Sequence, residues 1–139
     1  MKLEHIFEEL LNEASTDDYK NRKDFIAGQM SKIKSELEKI MGSSYTVLVR
    51  PIMGSAIAVD VYKANTKVTR HNDLGLVSCM IDFPEDISSA KNFSWESQIY
   101  PKKYGVTFRK ITSGSIEDTN KKLYDWFKKN KPALDKIEK

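Results

Sequence analysis

The spacing of apolar residues changes period twice along this 139-residue chain, and those changes bound what it can fold into. Ile26, Met30, Ile33, Leu37, Ile40 and Met41 recur at the intervals of one helical stripe. Gly42 follows at once, where a helix C′ glycine belongs. Beyond it the repeat becomes two. Tyr45 to Arg50 is rich in β-formers, Pro51 and Gly54 bracket a turn, and Ala56 to Lys63 reads as the returning strand. Leu74 to Phe83 is apolar on both faces, which places it centrally. Phe93 to Tyr100 alternates weakly, and Tyr104 to Ile111 reads as a further strand. Helical spacing returns at Ile116, Leu123, Trp126 and Phe127, after Ser115 and Asp118 in the spacing of a capping box. Asn130 and Pro132 predict an interruption, with Leu134 and Ile137 in one more docked turn.

A further helix is expected from Lys2 to Asn12, where Leu3, Ile6, Phe7, Leu10 and Leu11 form one stripe. Ser15 or Thr16 caps the helix that follows it. The predicted order is α-α-β-β-β-(β)-β-α. Consecutive strands with short links favour an antiparallel sheet. The expectation is an α+β fold of two layers, with four to five strands covered on one face by the N- and C-terminal helices. Residues 1–139 make a single domain, and residues 1–14 a removable or docking N-terminal helix.

No apolar run approaches the roughly 20 residues of a membrane span, so no membrane partner is expected. Glu4, Glu8 and Glu9 interrupt the N-terminus, which does not read as a secretory signal. The single cysteine, Cys79, precludes an internal disulfide and fits a reducing compartment. The expected location is the cytoplasm of a host cell, or a virion. Charge is uneven. Residues 1–13 hold one base and four acids, whereas residues 102–139 hold eleven Lys or Arg against five Asp or Glu. The basic end suits a polyanion, although acids interleave with it.

Five groups of residues carry candidate chemistry. Tyr104, with Lys102, Lys103, Arg109 and Lys110, interleaves aromatic and basic character, as single-strand binders do. Asp60 with Glu96 and Gln98 loosely resembles the PD-(D/E)xK nuclease pattern, in which two carboxylates hold a divalent metal and Gln98 stands for the usual Lys. Thr112-Ser113-Gly114-Ser115 opens a helix as an anion site does, but capping accounts for it. Cys79 reads as a buried hydrophobe rather than a nucleophile. One cysteine with His5 and His71 supplies no zinc set. No cofactor is expected.

The first helix ends in Leu11-Asn12-Glu13-Ala14. With its short, acidic, amphipathic character, this segment resembles the capsid-targeting sequences of internal head proteins of T-even-like phages. Their prohead protease recognises a hydrophobic residue, any residue and Glu, and cuts before a small one; the matching positions are Leu11, Glu13 and Ala14. The resemblance covers residues 1–14 and implies a processed product of net charge +6, given the total of +3 and the −3 of the segment removed. The expected function is therefore a non-enzymatic, phage-type accessory or head-associated protein that acts by binding, with a protein partner and nucleic acid as candidates. A second reading is a module that inhibits or adapts a host protein or nucleic acid through an open sheet face. The third is the metal-dependent nuclease.

Overall fold

The structure is a computed structural model that describes residues 22–64, 75–84, 86–87 and 90–137. The expected first helix, the Ser15 or Thr16 cap, Leu11, Glu13, Ala14, His5 and His71 lie outside the described residues. Helix α1 spans Arg22–Met41. It ends as its sequence demands: Gly42 takes φ +75°, and its N–H donates to Glu38 O at 2.9 Å. Phe25, Ile33 and Leu37 on its inner face are fully buried. Each such side chain contributes about 1.5–3 kcal/mol relative to exposure.

Five strands follow: β1 (Tyr45–Ile52), β2 (Ala56–Lys63), β3 (Val77–Asp82), β4 (Phe93–Ile99) and β5 (Ile111–Ser113). They pair in chain order, and all pairs are antiparallel. Helix α2 (Ile116–Asp135) closes the chain. The result is the expected α+β fold. Both helices pack against the face that carries Val47, Ile57, Val59, Val61, Cys79, Ile81 and Trp95. The β1–β2 hairpin turns at Met53 (φ 52°) and Gly54 (φ 70°), both left-handed, as a type I′ turn requires. Pro51 lacks a donor, and β1 is an edge strand, so the ladder loses little there.

Three expectations need correction. The run from Tyr104 to Ile111 is not a strand. A 3₁₀ turn occupies Lys102–Tyr104, Gly105 ends it at φ 84°, and pairing begins only at Ile111. The alternation of Val106 and Phe108 (both buried) with Thr107 and Arg109 (both exposed) is genuine, but it records packing beneath a connecting segment rather than a ladder. Pro132 does not end α2, which continues to Asp135 because Leu134 and Ile137 are buried and hold the last turn in place. The far face of the sheet is not open at β2. Ala58, Asp60 and Tyr62 face away from Val59 and Val61, yet Asp60 is 1% and Tyr62 4% exposed. Tyr62 is thus no part of an open docking face.

A polar clamp fixes the end of α2 to the start of β1. The Tyr45 hydroxyl donates to Asp135 Oδ1 at 2.6 Å, and Lys63 Nζ donates to Tyr45 Oη at 3.2 Å and to Leu134 O at 2.7 Å. The Tyr45 hydrogen bond, then that of Lys131, holds the Asp135 carboxyl below the usual carboxylate range. A depressed folded pKa gives stability that is present above the unfolded value, about 4, and lost as pH falls through the folded one. Tyr45→Phe is therefore expected to destabilise the chain more at pH 7 than at pH 3, and to raise the Asp135 pKa toward its ordinary value. Urea unfolding at both pH values, with an NMR titration of Asp135, checks this; an equal loss at both would show that the clamp is not coupled to Asp135 ionisation.

Candidate nucleic-acid interface

The site is built from the segment between β4 and β5 and the outer face of α2. After Gly105 the chain runs extended, so side chains alternate: Val106 and Phe108 turn in, and Thr107 and Arg109 turn out. Trp126 of α2 holds this segment down. Its indole Nε1–H donates to Thr107 O at 2.9 Å, and its ring lies 4.8 Å from that of Phe108 and 4.9 Å from that of Phe127. Lys129 and Asn130 stand three and four residues after Trp126, on the same helix face. Between segment and helix lies a groove of about 560 Å³. Arg109 and Lys110 line it from one side and Lys129 from the other, with Thr107, Trp126 and Asn130 between.

Its electrostatics are one-sided. Among the described residues, three cations and no carboxylate line the groove. None of the three forms an ion pair among the described residues. Elsewhere on α2, Lys122 is tied to Asp118 at 3.5 Å and Lys131 to Asp135 at 3.0 Å. Lys102, Lys103 and Tyr104 stand just before Gly105, which also lines the groove. All three are exposed; Lys103 Nζ sits 5.4 Å from the Tyr104 ring, and Lys102 Nζ sits 5.3 Å from that of Tyr100. The structure thus places Arg109 and Lys110 in one groove and sets Lys102, Lys103 and Tyr104 beside it. It adds Trp126, Lys129 and Asn130. The sequence signal for these was the i, i+3, i+4 spacing, masked because Trp126 reads equally well as core.

The other candidates resolve differently. Asp60 and Glu96 share the far face, but β3 lies between their strands: Asp60 pairs with Ser78 and Glu96 with Met80. With strands about 4.8 Å apart and a two-residue offset, their Cα atoms are roughly 12 Å apart. Asp60 Oδ2 is engaged by Arg50 Nη2 at 2.9 Å. Gln98 falls at the register shift in the β3–β4 ladder, between Ser97 and Ile99. No group of three or more His, Cys, Asp or Glu that could hold a metal ion occurs among the described residues.

At the Thr112–Ser115 turn, the start of α2 is filled from within. Ser115 Oγ accepts from Asp118 N–H at 3.1 Å, and Ser113 Oγ donates to Asp118 Oδ2 at 2.5 Å. That second bond, with Lys122 and Lys121 nearby, holds the Asp118 carboxyl below its ordinary range. Asp118 supplies the negative charge that the helix dipole favours, so an outside anion meets a like charge there. Cys79 is buried, and burial pushes its thiol well above the ordinary range, with nearby Asp60 adding to this. A protonated, enclosed thiol is a poor nucleophile.

A smaller cleft of about 360 Å³ separates the two helices and carries mixed charge from Lys32, Glu36 and Glu117. Its inner end is polar and satisfied: Trp95 Nε1–H donates to Asn120 Oδ1 at 2.9 Å, and Asn120 Nδ2 donates to Gln29 Oε1 at 3.1 Å. Tyr124 beside it is pushed up to about 12 by burial, then by the Glu36 carboxylate.

No helix among the described residues is long and apolar enough to cross a membrane. No protein-family model matches the chain, and neither a curated protein nor a solved structure shows significant similarity to it.

Proposed function

We propose that this is a non-enzymatic accessory protein that binds nucleic acid through the groove between α2 and the β4–β5 segment. The observation that carries this reading is the convergence of Arg109, Lys110 and Lys129, from two elements, with no lining carboxylate among the described residues. These three cations have no ion-pair partner among the described residues and are available to phosphates, and the release of condensed counterions drives such binding. The interleaved nuclease reading lacks comparable support, because its two carboxylates sit two strands apart.

The test is the salt dependence of binding to labelled nucleic acid. The triple variant Arg109→Ala/Lys110→Ala/Lys129→Ala is expected to lose about a hundredfold in affinity at low salt. Its slope of log K against log salt should flatten by about 2 for a single strand, from about 0.7 per phosphate contact. Lys34→Ala, an exposed change on α1, should leave both quantities alone. A wild-type chain that binds no nucleic acid at low salt overturns the reading and turns the search to a protein partner.

The head-associated form of the proposal rests on the resemblance of residues 1–14. Removal of an acidic segment of charge −3 leaves a +6 product, which suits a site beside packaged DNA. Protein extracted from particles should begin at Ala14. A full-length chain found only outside particles removes that form of the proposal and leaves the groove reading standing.

A further inference from the structure

Resting on that reading, we propose that the groove takes one strand of nucleic acid rather than a duplex, holding the backbone between its cationic walls and a base against Trp126. Two features of the groove lead there. The cations stand on opposite sides of a concave groove, with an aromatic ring between them. A duplex presents phosphates on its convex outside and keeps base faces stacked within, so an aromatic ring between the cations has no base face to meet. An unpaired strand offers both at once.

Two of the groove's hydrogen-bonding groups are engaged within the protein. The Trp126 N–H is spent on Thr107 O, so the indole meets a base only through its apolar surface. Asn130 Nδ2 donates to Trp126 O at 2.9 Å, which engages one N–H of the side-chain amide in the groove. The long cationic side chains remain, and they suit phosphates. Phosphate contact and stacking on a ring do not depend on base identity, so strands of different sequence should bind alike. Tyr104, 47% exposed and next to Gly105, offers a second ring at the groove mouth.

The chain carries its own reporter. Of its two tryptophans, Trp95 is fully buried and bonded to Asn120, so a strand entering the groove meets only Trp126. The experiment titrates the full chain with oligo(dT) and, separately, with the matching dA·dT duplex, reading tryptophan fluorescence and the anisotropy of a labelled strand. Oligo(dT) should bind at least about tenfold tighter than the duplex and quench the fluorescence, with a salt slope of about −2 from three phosphate contacts. Trp126→Phe should abolish the quench and weaken oligo(dT) binding about tenfold, within the range for loss of one stacked base. Because that variant also loses the bond to Thr107, Lys129→Glu serves as a second, exposed change; it should cost oligo(dT) affinity with unaltered circular dichroism. Equal or tighter duplex binding, or a quench that survives in Trp126→Phe, overturns the single-strand inference while leaving the basic groove as a nucleic-acid site. Failure of both nucleic acids to bind overturns both.

Discussion

Arg50→Met should destabilise the protein by about 3–5 kcal/mol, the range for removing one partner of a buried ion pair. Asp60 is 1% exposed and Arg50 Nη2 contacts it at 2.9 Å. Without the guanidinium, a carboxylate remains enclosed among Ala58, Ser78 and Tyr62, all buried. The pair is already incompletely satisfied, since Asp60 Oδ1 and Arg50 Nε have no hydrogen-bond partner among the described residues. The asymmetry is the sharper expectation. Arg50 keeps 35% of its side chain exposed and can turn to water, so Asp60→Leu should cost less than Arg50→Met. The double variant Arg50→Met/Asp60→Leu should recover most of the loss, because two apolar groups need no compensation. Urea unfolding of the three variants closes the cycle. A double variant as unstable as the sum of the singles would show that the pair is not energetically coupled. The cycle also bears on the nuclease reading: any activity lost in Asp60→Ala has to be separated from unfolding.

The second large effect is at Trp95. Its side chain is fully buried on β4, and its N–H starts the chain to Asn120 and Gln29 that joins sheet, α2 and α1. Trp95→Ala should cost about 3–5 kcal/mol, as other buried aromatic truncations do. For a domain of this size that lowers the midpoint of thermal unfolding by roughly 10–20 °C. Trp95→Phe separates the causes. It keeps most of the ring but leaves Asn120 Oδ1 without its donor, for about 1–3 kcal/mol. A Trp95→Phe chain as stable as wild type would mean that the buried network contributes no net stability.

Much of the architecture was legible because its signals are short-range. The stripe from Ile26 to Met41 and the glycine after it define α1 within one stretch of chain. Ser115 and Asp118 announced the start of α2, and the observed bond between them is the one that spacing implies. The candidate site was half legible. Lys102, Lys103, Tyr104, Arg109 and Lys110 stand together in sequence, so composition alone marked them. Lys129 was indistinguishable from the other lysines of α2. What sets it apart is its place on the groove, and that depends on which helix face meets the β4–β5 segment.

The sequence by itself determined the end of α1, the β1–β2 hairpin and the start of α2, because caps, turns and alternation act over a few residues. Tertiary structure decided the rest. Val106 and Phe108 have the spacing of a strand, but α2, through Trp126, takes up their segment in place of a ladder. Pro132 carries a stop signal, but burial of Leu134 and Ile137 outweighs one lost backbone bond. Asp60 reads as the wet face of a strand, yet it is enclosed with Arg50. The groove exists only because residues about twenty apart in sequence are joined by one hydrogen bond and one aromatic contact. Long-range packing competes with local preference at each of these places and prevails, since burying large side chains is worth more than the local propensities it overrides.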